Sequence, residues 1–132
     1  MAFYRTREGS LTAADSFTAL GSLYGQSTTA SIQIPKQATS IVGIIVSVSQ
    51  DSATEGTSTF AMQLSGDGLS QGQETITVGS ATNVGTETSA GVSTIPFTLD
   101  VAIPVVGSNQ VSVAMAMDTD LGSAACAVTL VF

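Results

Sequence analysis

Residues 110–117 follow a strict alternation that most constrains how this chain can fold. Apolar side chains at every second position, separated by small ones, are typical of a β-strand with one face on a core. The apolar set is Val111, Val113, Met115 and Met117. An apolar segment at 94–106, a tight turn at 107–109 and a last apolar segment ending on Phe132 surround it. The last forty residues therefore predict consecutive strands, with the end of the sequence tied into a sheet or a partner.

The same pattern continues upstream. Alternating apolar positions occur at Ile32 and Ile34, at Phe60, Met62 and Leu64, and at Ile76 and Val78. Residues 40–50 are apolar on both faces at first, which indicates a central strand under a covering layer. The chain also holds 18 Ser and 18 Thr but only 10% charged residues, and Thr favours sheets while Ser favours tight connections. We therefore expect an all-β protein, an antiparallel β-sandwich of jelly-roll or Greek-key type.

Two segments depart from this alternation. Residues 1–26 contain both arginines and irregularly spaced apolar side chains, and we expect either an N-terminal arm or the first strand of the sandwich. Residues 27–132 are expected to form the single β-sandwich domain. Within it, residues 79–93 are rich in Gly, Ser and Thr, and they are expected to form a loop of the kind that binds a partner or is mobile.

The charge pattern limits the partners. The net charge is -7 and the only basic pair is Arg5 and Arg7, so direct nucleic-acid binding is not expected, because phosphates need clustered Lys and Arg. No segment approaches the roughly 18 apolar residues of a membrane span. A surface of small uncharged residues gives little repulsion between copies, and we expect much of it to be buried against other copies. The alternative is a monomer kept apart by its net charge.

Catalysis is not expected. The chain has no histidine, the usual general base and member of serine-hydrolase triads. Residues 68–72 spell Gly-x-Ser-x-Gly, but that motif requires a strand-to-helix turn and a histidine partner. Lys36, the only lysine, is predicted to lie in an exposed turn. We therefore expect neither an enzyme nor a cofactor, and no small-molecule substrate.

Two further features have simple structural interpretations. Asp118 and Asp120 are weak candidates for a hard cation such as calcium, but the sequence around them lacks the other ligands, and a solvated hairpin turn is expected. Cys126 is the only cysteine, so no disulfide can form within the chain. Its apolar neighbours predict a small, inert core residue.

The chain resembles the small β-sandwich coat proteins of prokaryotic viruses. The similarity extends over the whole chain and rests on the segment 1–26, the alternating strands of 27–132 and the absence of a signal sequence. Coat proteins of this type that contact the genome have a strongly basic arm. The segment 1–26 departs from that pattern, because its only basic residues are Arg5 and Arg7. The resemblance therefore implies a capsid subunit of an outer shell, a decoration protein, or a coat over an internal membrane.

We therefore expect a structural subunit that assembles with other copies of itself, and with other shell proteins, in a virion made in the host cytoplasm. Its expected interface anchors are the aromatic and leucine side chains of the N-terminal segment, Phe3, Tyr4, Phe17, Leu20 and Leu23. One alternative is an extracellular filament whose subunits are joined by strand donation. The other is a soluble, non-catalytic binding module that uses the loop at 79–93.

Overall fold

The computed structural model describes residues 3–21, 31–52, 56–83, 91–119 and 124–132. These residues form β-strands and turns, with no α-helix among them. The strands are β1 (Tyr4–Leu11), β2 (Thr18–Ala19), β3 (Ser31–Gln33), β4 (Ser40–Ser52), β5 (Gly56–Ser65), β6 (Gln73–Asn83), β7 (Gly91–Pro104), β8 (Gln110–Met117) and β9 (Ala124–Val131). The predicted all-β class is confirmed.

The strands form two antiparallel sheets. The first sheet has the order β1-β9-β4-β7, and the second has the order β2-β8-β5-β6, with β3 also paired to β8. Early strands thus pair with late ones: β1 with β9, β2 and β3 with β8, β4 with β7 and β5 with β6. An antiparallel ribbon rolled up on itself has this order, which is the jelly-roll arrangement of two Greek keys. The predicted sandwich is confirmed, and its topology is of the jelly-roll type.

The core lies between the two sheets and follows the alternation of the sequence. In β8 the four alternating side chains are all but inaccessible, and Ser112 and Ala114 between them are partly exposed. In β5 the three predicted core residues, Phe60, Met62 and Leu64, are fully buried. Strand β4 is central, as predicted, since it pairs with β9 on one side and β7 on the other. Among the described residues, however, only its inner face is covered, and Val42 and Ile45 on the other face are exposed.

The N-terminal segment is built into the sandwich. Residues Tyr4–Leu11 pair along their whole length with β9, from Tyr4 opposite Val131 to Leu11 opposite Ala124. For residues 1–26 an N-terminal arm and a first strand were the two alternatives, and the structure has a strand at Tyr4–Leu11. Its pairing covers the backbone groups of β9, which would otherwise lie unpaired at the sheet edge. Further on, Leu20 donates a backbone hydrogen bond to Val113, and Gly21 pairs with Glu8.

A loop was expected at 79–93, but the described residues of this range form strands. Strand β6 continues to Asn83 and β7 begins at Gly91, while residues 84–90 lie outside the described residues. The strand continues through Gly79 by means of a register shift against β5, and Gly79 has a φ of 158°. The ring of Phe97 packs so closely on Gly79 that an added Cβ would lie 2.8 Å from its Cδ1. A glycine in this pattern therefore marks a close approach of the two sheets instead of a loop.

Candidate interaction surface

The outer face of the first sheet is a surface of low charge that the described residues leave uncovered. We define it by the side chains of β1, β9, β4 and β7 that alternate with the core positions. Its two central strands contribute Val42, Ile45, Ser47, Ala127, Thr129 and Val131. No charged residue occurs between Ser40 and Gln50 or along β9. The outer face of an antiparallel sheet that meets water normally carries polar residues, so this face resembles a covered one.

Exposed apolar side chains concentrate on this face. Val42 is 50% exposed and Ile45 is 39% exposed, both on β4. Tyr4 is 58% exposed on the neighbouring edge strand, opposite the half-buried Val131. Charged residues occur on the edge strands, for example Glu8 on β1 and Asp100 on β7, and near the end of β4 at Asp51. Water therefore meets an apolar, uncharged centre, which is the profile of a contact surface.

A cleft of about 490 Å³ opens beside this face. It is lined by Phe3, Gln37, Ala38, Thr39, Ser40, Val42 and Phe132, and we call it the Phe3–Phe132 cleft. Phe3 and Phe132 exchange two backbone hydrogen bonds, of 3.2 and 2.9 Å between N and O, which extend the pairing of β1 and β9. The turn below it is closed by the Ala38 N–H, which donates to the Pro35 carbonyl at 3.0 Å. The cleft is therefore formed by backbone pairing and carries no charged side chain in its lining.

The five predicted interface anchors have different environments. Tyr4 and Phe17 are exposed, at 58% and 43% respectively. Phe3 is partly buried against the core, and Leu20 is fully buried in it. Leu23 lies outside the described residues. Tyr4 and Phe17 are thus accessible to another molecule in this conformation, and Leu20 acts as a core residue of its own chain.

The two arginines lie on the inward side of the edge strand β1. Arg7 donates from Nη2 to the Ser31 carbonyl at 2.8 Å and from Nη1 to the Thr6 carbonyl at 2.9 Å. Its Nε is buried and makes no hydrogen bond within the described part of the chain. Desolvation, and to a smaller extent the charge of Arg5, lowers the pKa of Arg7. Arg7 therefore ties β1 to β3 across the open side of the sandwich, and it is not presented as part of a basic patch.

The acidic turn after β8 has a structural role. The Asp118 carboxylate accepts hydrogen bonds from the Thr59 backbone N–H at 2.8 Å and from the Thr119 hydroxyl at 3.1 Å, both on Oδ1. The hydrogen bond from the Thr59 backbone is the main reason why the pKa of Asp118 is lowered. Asp120 lies outside the described residues. The described ranges contain no group of three His, Cys, Asp or Glu that could hold a metal ion.

The Gly-x-Ser-x-Gly letters at 68–72 lie in the connection between β5 and β6. Ser70 is exposed there, while Gly68 is packed between Ile34 and the backbone of Gln110. An added Cβ at Gly68 would lie 2.6 Å from the Gln110 carbonyl oxygen. Lys36 lies exposed in the turn after β3, as expected. Gly68 therefore serves the close packing of a turn on β8, whereas Gly72 has a φ of 81° and open space around it.

Cys126 faces the core on β9 and is 4% exposed. Burial raises the pKa of its thiol to about 12, so the reactive thiolate is scarce at neutral pH.

We expect Cys126 to be inert towards a thiol reagent in the native protein. Labelling with a chromogenic disulfide at about pH 8 should proceed at least about 100-fold faster in denaturant than in buffer, because reaction requires both exposure and a thiolate. A Ser10→Cys variant, with an exposed position on β1, provides the matched control and should label at once. Rapid labelling of native Cys126 would contradict its place in the core.

The cleft is the feature that sequence reasoning missed. Its lining comes from residue 3, residues 37–42 and residue 132, which only the pairing of β1, β9 and β4 brings together. The available signal was the pair of aromatic residues at both ends of the sequence. The predicted anchors were identified by residue type alone, so exposed and buried members could not be separated.

No helix in the described ranges is long and apolar enough to cross a membrane.

The chain is similar to solved structures of two kinds, a viral particle and a carbohydrate-binding module. No family model matches the chain, and no curated protein matches it either. Among solved structures, the chain is similar to that of the infectious bursal disease virus Gx strain, with 12% identity and a TM-score of 0.47 over 100% of this chain and 32% of the other. The VP2 subviral particle of the same virus gives 14% identity and a TM-score of 0.42 over 99% of this chain and 32% of the other.

A xylan-binding domain from carbohydrate-binding module family 22 is similar to the same degree, with 14% identity and a TM-score of 0.45 over 97% of this chain and 85% of the other. The chain spans about a third of the length of the two viral chains. The resemblance to viral coat proteins is thus present as a weak similarity. The TM-scores are below 0.5 for the viral structures and for the carbohydrate-binding module alike. These similarities therefore do not bear on the choice between a capsid subunit and a binding module.

Proposed function

We propose that this chain is a structural subunit that assembles with copies of itself, as a coat or decoration protein of a viral capsid. Its function then lies in contacts between subunits, and it acts without a catalytic group, a cofactor or a small-molecule substrate. Other copies, and other shell proteins, are its partners. The virion, formed in the host cytoplasm, is its proposed location.

The observation that carries this proposal is the uncharged outer face of the first sheet. The chain has a net charge of -7, yet the central strands of this face expose Val42 and Ile45 and carry no charge between 40 and 50. Burial of apolar surface contributes about 25 cal/mol per Å². Four strands about 4.8 Å apart and about 27 Å long present roughly 500 Å² per copy. Two such faces approach the roughly 1,000 Å² expected of a biological interface.

The jelly-roll order supports a shell role without deciding it. Capsid proteins and lectins both use this architecture, and a fold does not by itself imply a function. The low charge of the outer face favours the capsid reading, because a soluble monomer gains nothing from an apolar centre on its surface.

The experiment combines negative-stain microscopy with a variant of the outer face. The double variant Val42→Thr and Ile45→Thr keeps β-branched side chains but removes apolar surface, and we expect it to need an about tenfold or higher concentration to assemble. The matched control, Ala61→Ser with Ala114→Ser, changes half-buried positions on the second sheet and should assemble like the unmodified chain. Isolated monomers of the unmodified chain would contradict the proposal.

The binding module is the second candidate, and the Phe3–Phe132 cleft is the observation that favours it. A preformed cleft of about 490 Å³ with no charged side chain in its lining is within the size range of small-ligand sites. This candidate predicts a monomer, and so the same micrographs separate it from the capsid subunit.

The extracellular filament joined by strand donation requires an open edge for the incoming strand. In this structure β1 already pairs with β9 of its own chain along eight positions. Donation would therefore require copies to exchange β1, and long filaments in the micrographs would favour that alternative.

A further inference from the structure

Strand β1 is held in its sheet mainly by its backbone. Eight residue pairs join it to β9, from Tyr4 to Leu11. The positions of β1 that lie opposite buried residues of β9 face the core, and they are Arg5, Arg7, Gly9 and Leu11. Leu11 is the one large apolar side chain among them that belongs to the core. Detachment of β1 would therefore break a ladder of hydrogen bonds but expose little apolar surface from the strand itself.

The outer edge of β1 is closed to the addition of a further strand. Glu8 and Gly21 exchange two backbone hydrogen bonds of 2.9 Å on that edge. Arg5 and Arg7 lie on the inward side of the strand, and inward-facing charges on an edge strand disfavour the addition of another strand. A strand from a second copy can therefore join this side of the sheet only by taking the place of β1 on β9.

The position of β1 on β9 is specific for the sequence of β1. The hydroxyls of Thr6 and Thr129 share a hydrogen bond of 2.8 Å across the two strands. Arg7 donates from Nη2 to the Ser31 carbonyl on β3 at 2.8 Å, and Leu11 is buried at the end of the strand. Strand β1 of a second copy would make the same contacts, because it has the same sequence. The two arrangements then differ in how β1 is connected to the rest of the chain.

The connection after β1 is exposed and contains a residue in an unfavourable conformation. Residues 12–17 lead from the first sheet to β2 in the second, and five of these six residues are exposed. Asp15 has a φ of 55°, in the left-handed region that is costly for a residue with a side chain. The segment contacts β8 through a bridge between Ala14 and Met117, where the Asp15 N–H donates to the Met117 carbonyl at 2.8 Å. Opening of this turn would break the bridge and release the left-handed conformation.

The opened connection is long enough to carry β1 to a neighbouring molecule. Six extended residues span at most about 20 Å, whereas the two sheets of a sandwich lie about 10 Å apart. Strand β2 can therefore stay on β8 while β1 extends away from its own β9. Short connections under strain favour this kind of opening, because the closed chain alone bears the strain.

We propose that two copies exchange β1, so that Tyr4–Leu11 of each copy pairs with β9 of the other. The proposal rests on the self-assembly proposed above and names one contact through which it occurs. Each copy gives one strand and receives one, which closes the pair and leaves the outer faces of both first sheets free for further contacts. Exchange of an identical element is a low-cost route to a dimer, because the contacts of β1 with β9 form again.

Cysteine variants on the two strands detect the exchange. Because the hydroxyl oxygens of Thr6 and Thr129 are 2.8 Å apart, cysteines at both positions can form a disulfide. Thr6→Cys and Thr129→Cys are made in separate chains that both carry Cys126→Ala, mixed in equal amounts, and unfolded and refolded together before oxidation. Neither chain can form this disulfide within itself, so a covalent pair of chains on a denaturing gel without reductant reports exchange. About half of the exchanged pairs contain one copy of each variant and should become covalent.

Thr98→Cys is the matched control and replaces Thr129→Cys in the mixture. Thr98 is exposed and lies in the same row of the sheet, since it pairs with Ile45, which pairs with Thr129. Its strand is two strands away from β9, or about 10 Å. Copies that only pack their outer faces together would bring Thr6→Cys close to either position. Exchange predicts at least about tenfold less covalent product with Thr98→Cys.

Two substitutions at Asp15 test the connection itself. Asp15→Gly and Asp15→Ala both remove the carboxylate and keep the backbone N–H that donates to Met117. Glycine adopts a φ of 55° without strain, whereas alanine does not. Only the closed chain needs this conformation. The dissociation constant of the exchanged pair, measured by sedimentation, should therefore be at least about tenfold higher for Asp15→Gly than for Asp15→Ala.

Assembly of the unmodified chain without a covalent pair in the Thr6→Cys and Thr129→Cys mixture would overturn the exchange and leave the self-assembly proposal intact. Equal dissociation constants for the two Asp15 variants would overturn it too. A single chain that carries both cysteines gives the converse result. A covalent dimer supports the exchange, whereas a disulfide within one chain shows that β1 stays on its own β9, and a ladder of larger species would overturn the closed pair. A monomeric unmodified chain would remove both proposals.

Discussion

Deletion of residues 130–132 should prevent the chain from folding. Leu130 is fully buried and Phe132 is 8% exposed. Strand β9 lies between β1 and β4, and the deletion removes the pairs of Leu130 and Val131 with both strands, together with the two hydrogen bonds between Phe3 and Phe132. Loss of a buried Leu costs about 2–5 kcal/mol and loss of a buried Phe about 3–5 kcal/mol. Their sum is comparable with the entire stability of a typical domain, about 5–15 kcal/mol.

Circular dichroism and a denaturant titration would measure this outcome. Val131→Thr is the control, because Val131 alternates with the buried Leu130 and is half-buried on the outer face, and it should cost no more than about 1 kcal/mol. A truncated chain that still unfolds cooperatively as a monomer would show that these residues serve an interface instead of the core.

Phe60→Ala should lower the free energy of unfolding by about 3–5 kcal/mol. Phe60 is fully buried on β5, opposite Met117 on one side and Gly79 on the other. The substitution removes the apolar ring and leaves a cavity in the core. Because Phe97 already packs closely on Gly79, the cavity can be filled only if the two sheets move.

Phe17→Ala is the matched comparison, since it makes the same chemical change at a side chain that is 43% exposed. At a concentration where the chain is monomeric, it should alter the free energy of unfolding by less than about 1 kcal/mol. Equal effects of the two substitutions in urea titrations would contradict the assignment of Phe60 to the core and Phe17 to the surface.

The regular strands could be predicted from the sequence because burial alternates there with a period of two. The predicted strand at 110–117 has the same bounds as β8, and Phe60, Met62 and Leu64 are buried as expected. In such segments each residue reports its own environment, so no knowledge of the neighbouring strand is needed.

The edges of the sheets were harder to predict. Strand β1 places Arg5 and Arg7 on its inward side, where they reach solvent around the edge, and this removes the apolar alternation by which a strand is recognised. Strand β6 passes through Gly79 with a register shift, and glycine in sequence suggests a loop. Both cases depend on the partner strand, which a single sequence does not reveal.

The candidate surface could be predicted only in part for the same reason. The low charge of the whole chain, with 10% charged residues, is visible in the sequence, and it led to the expectation of buried contacts between copies. Which side chains remain exposed depends on the sheet order, so that Leu20 was grouped with Phe17 although it lies in the core. The cleft depends on the register of three strands.

Sedimentation velocity of the unmodified chain tests the central claim of self-assembly most directly. The concentration is varied from about 1 to about 100 µM, the range in which contacts of moderate affinity become populated. Assembly predicts a weight-average mass that rises with concentration well above the 13.3 kDa of one chain, with a further rise in salt if the net charge of -7 opposes contact. A constant mass of 13.3 kDa over the whole range would contradict it.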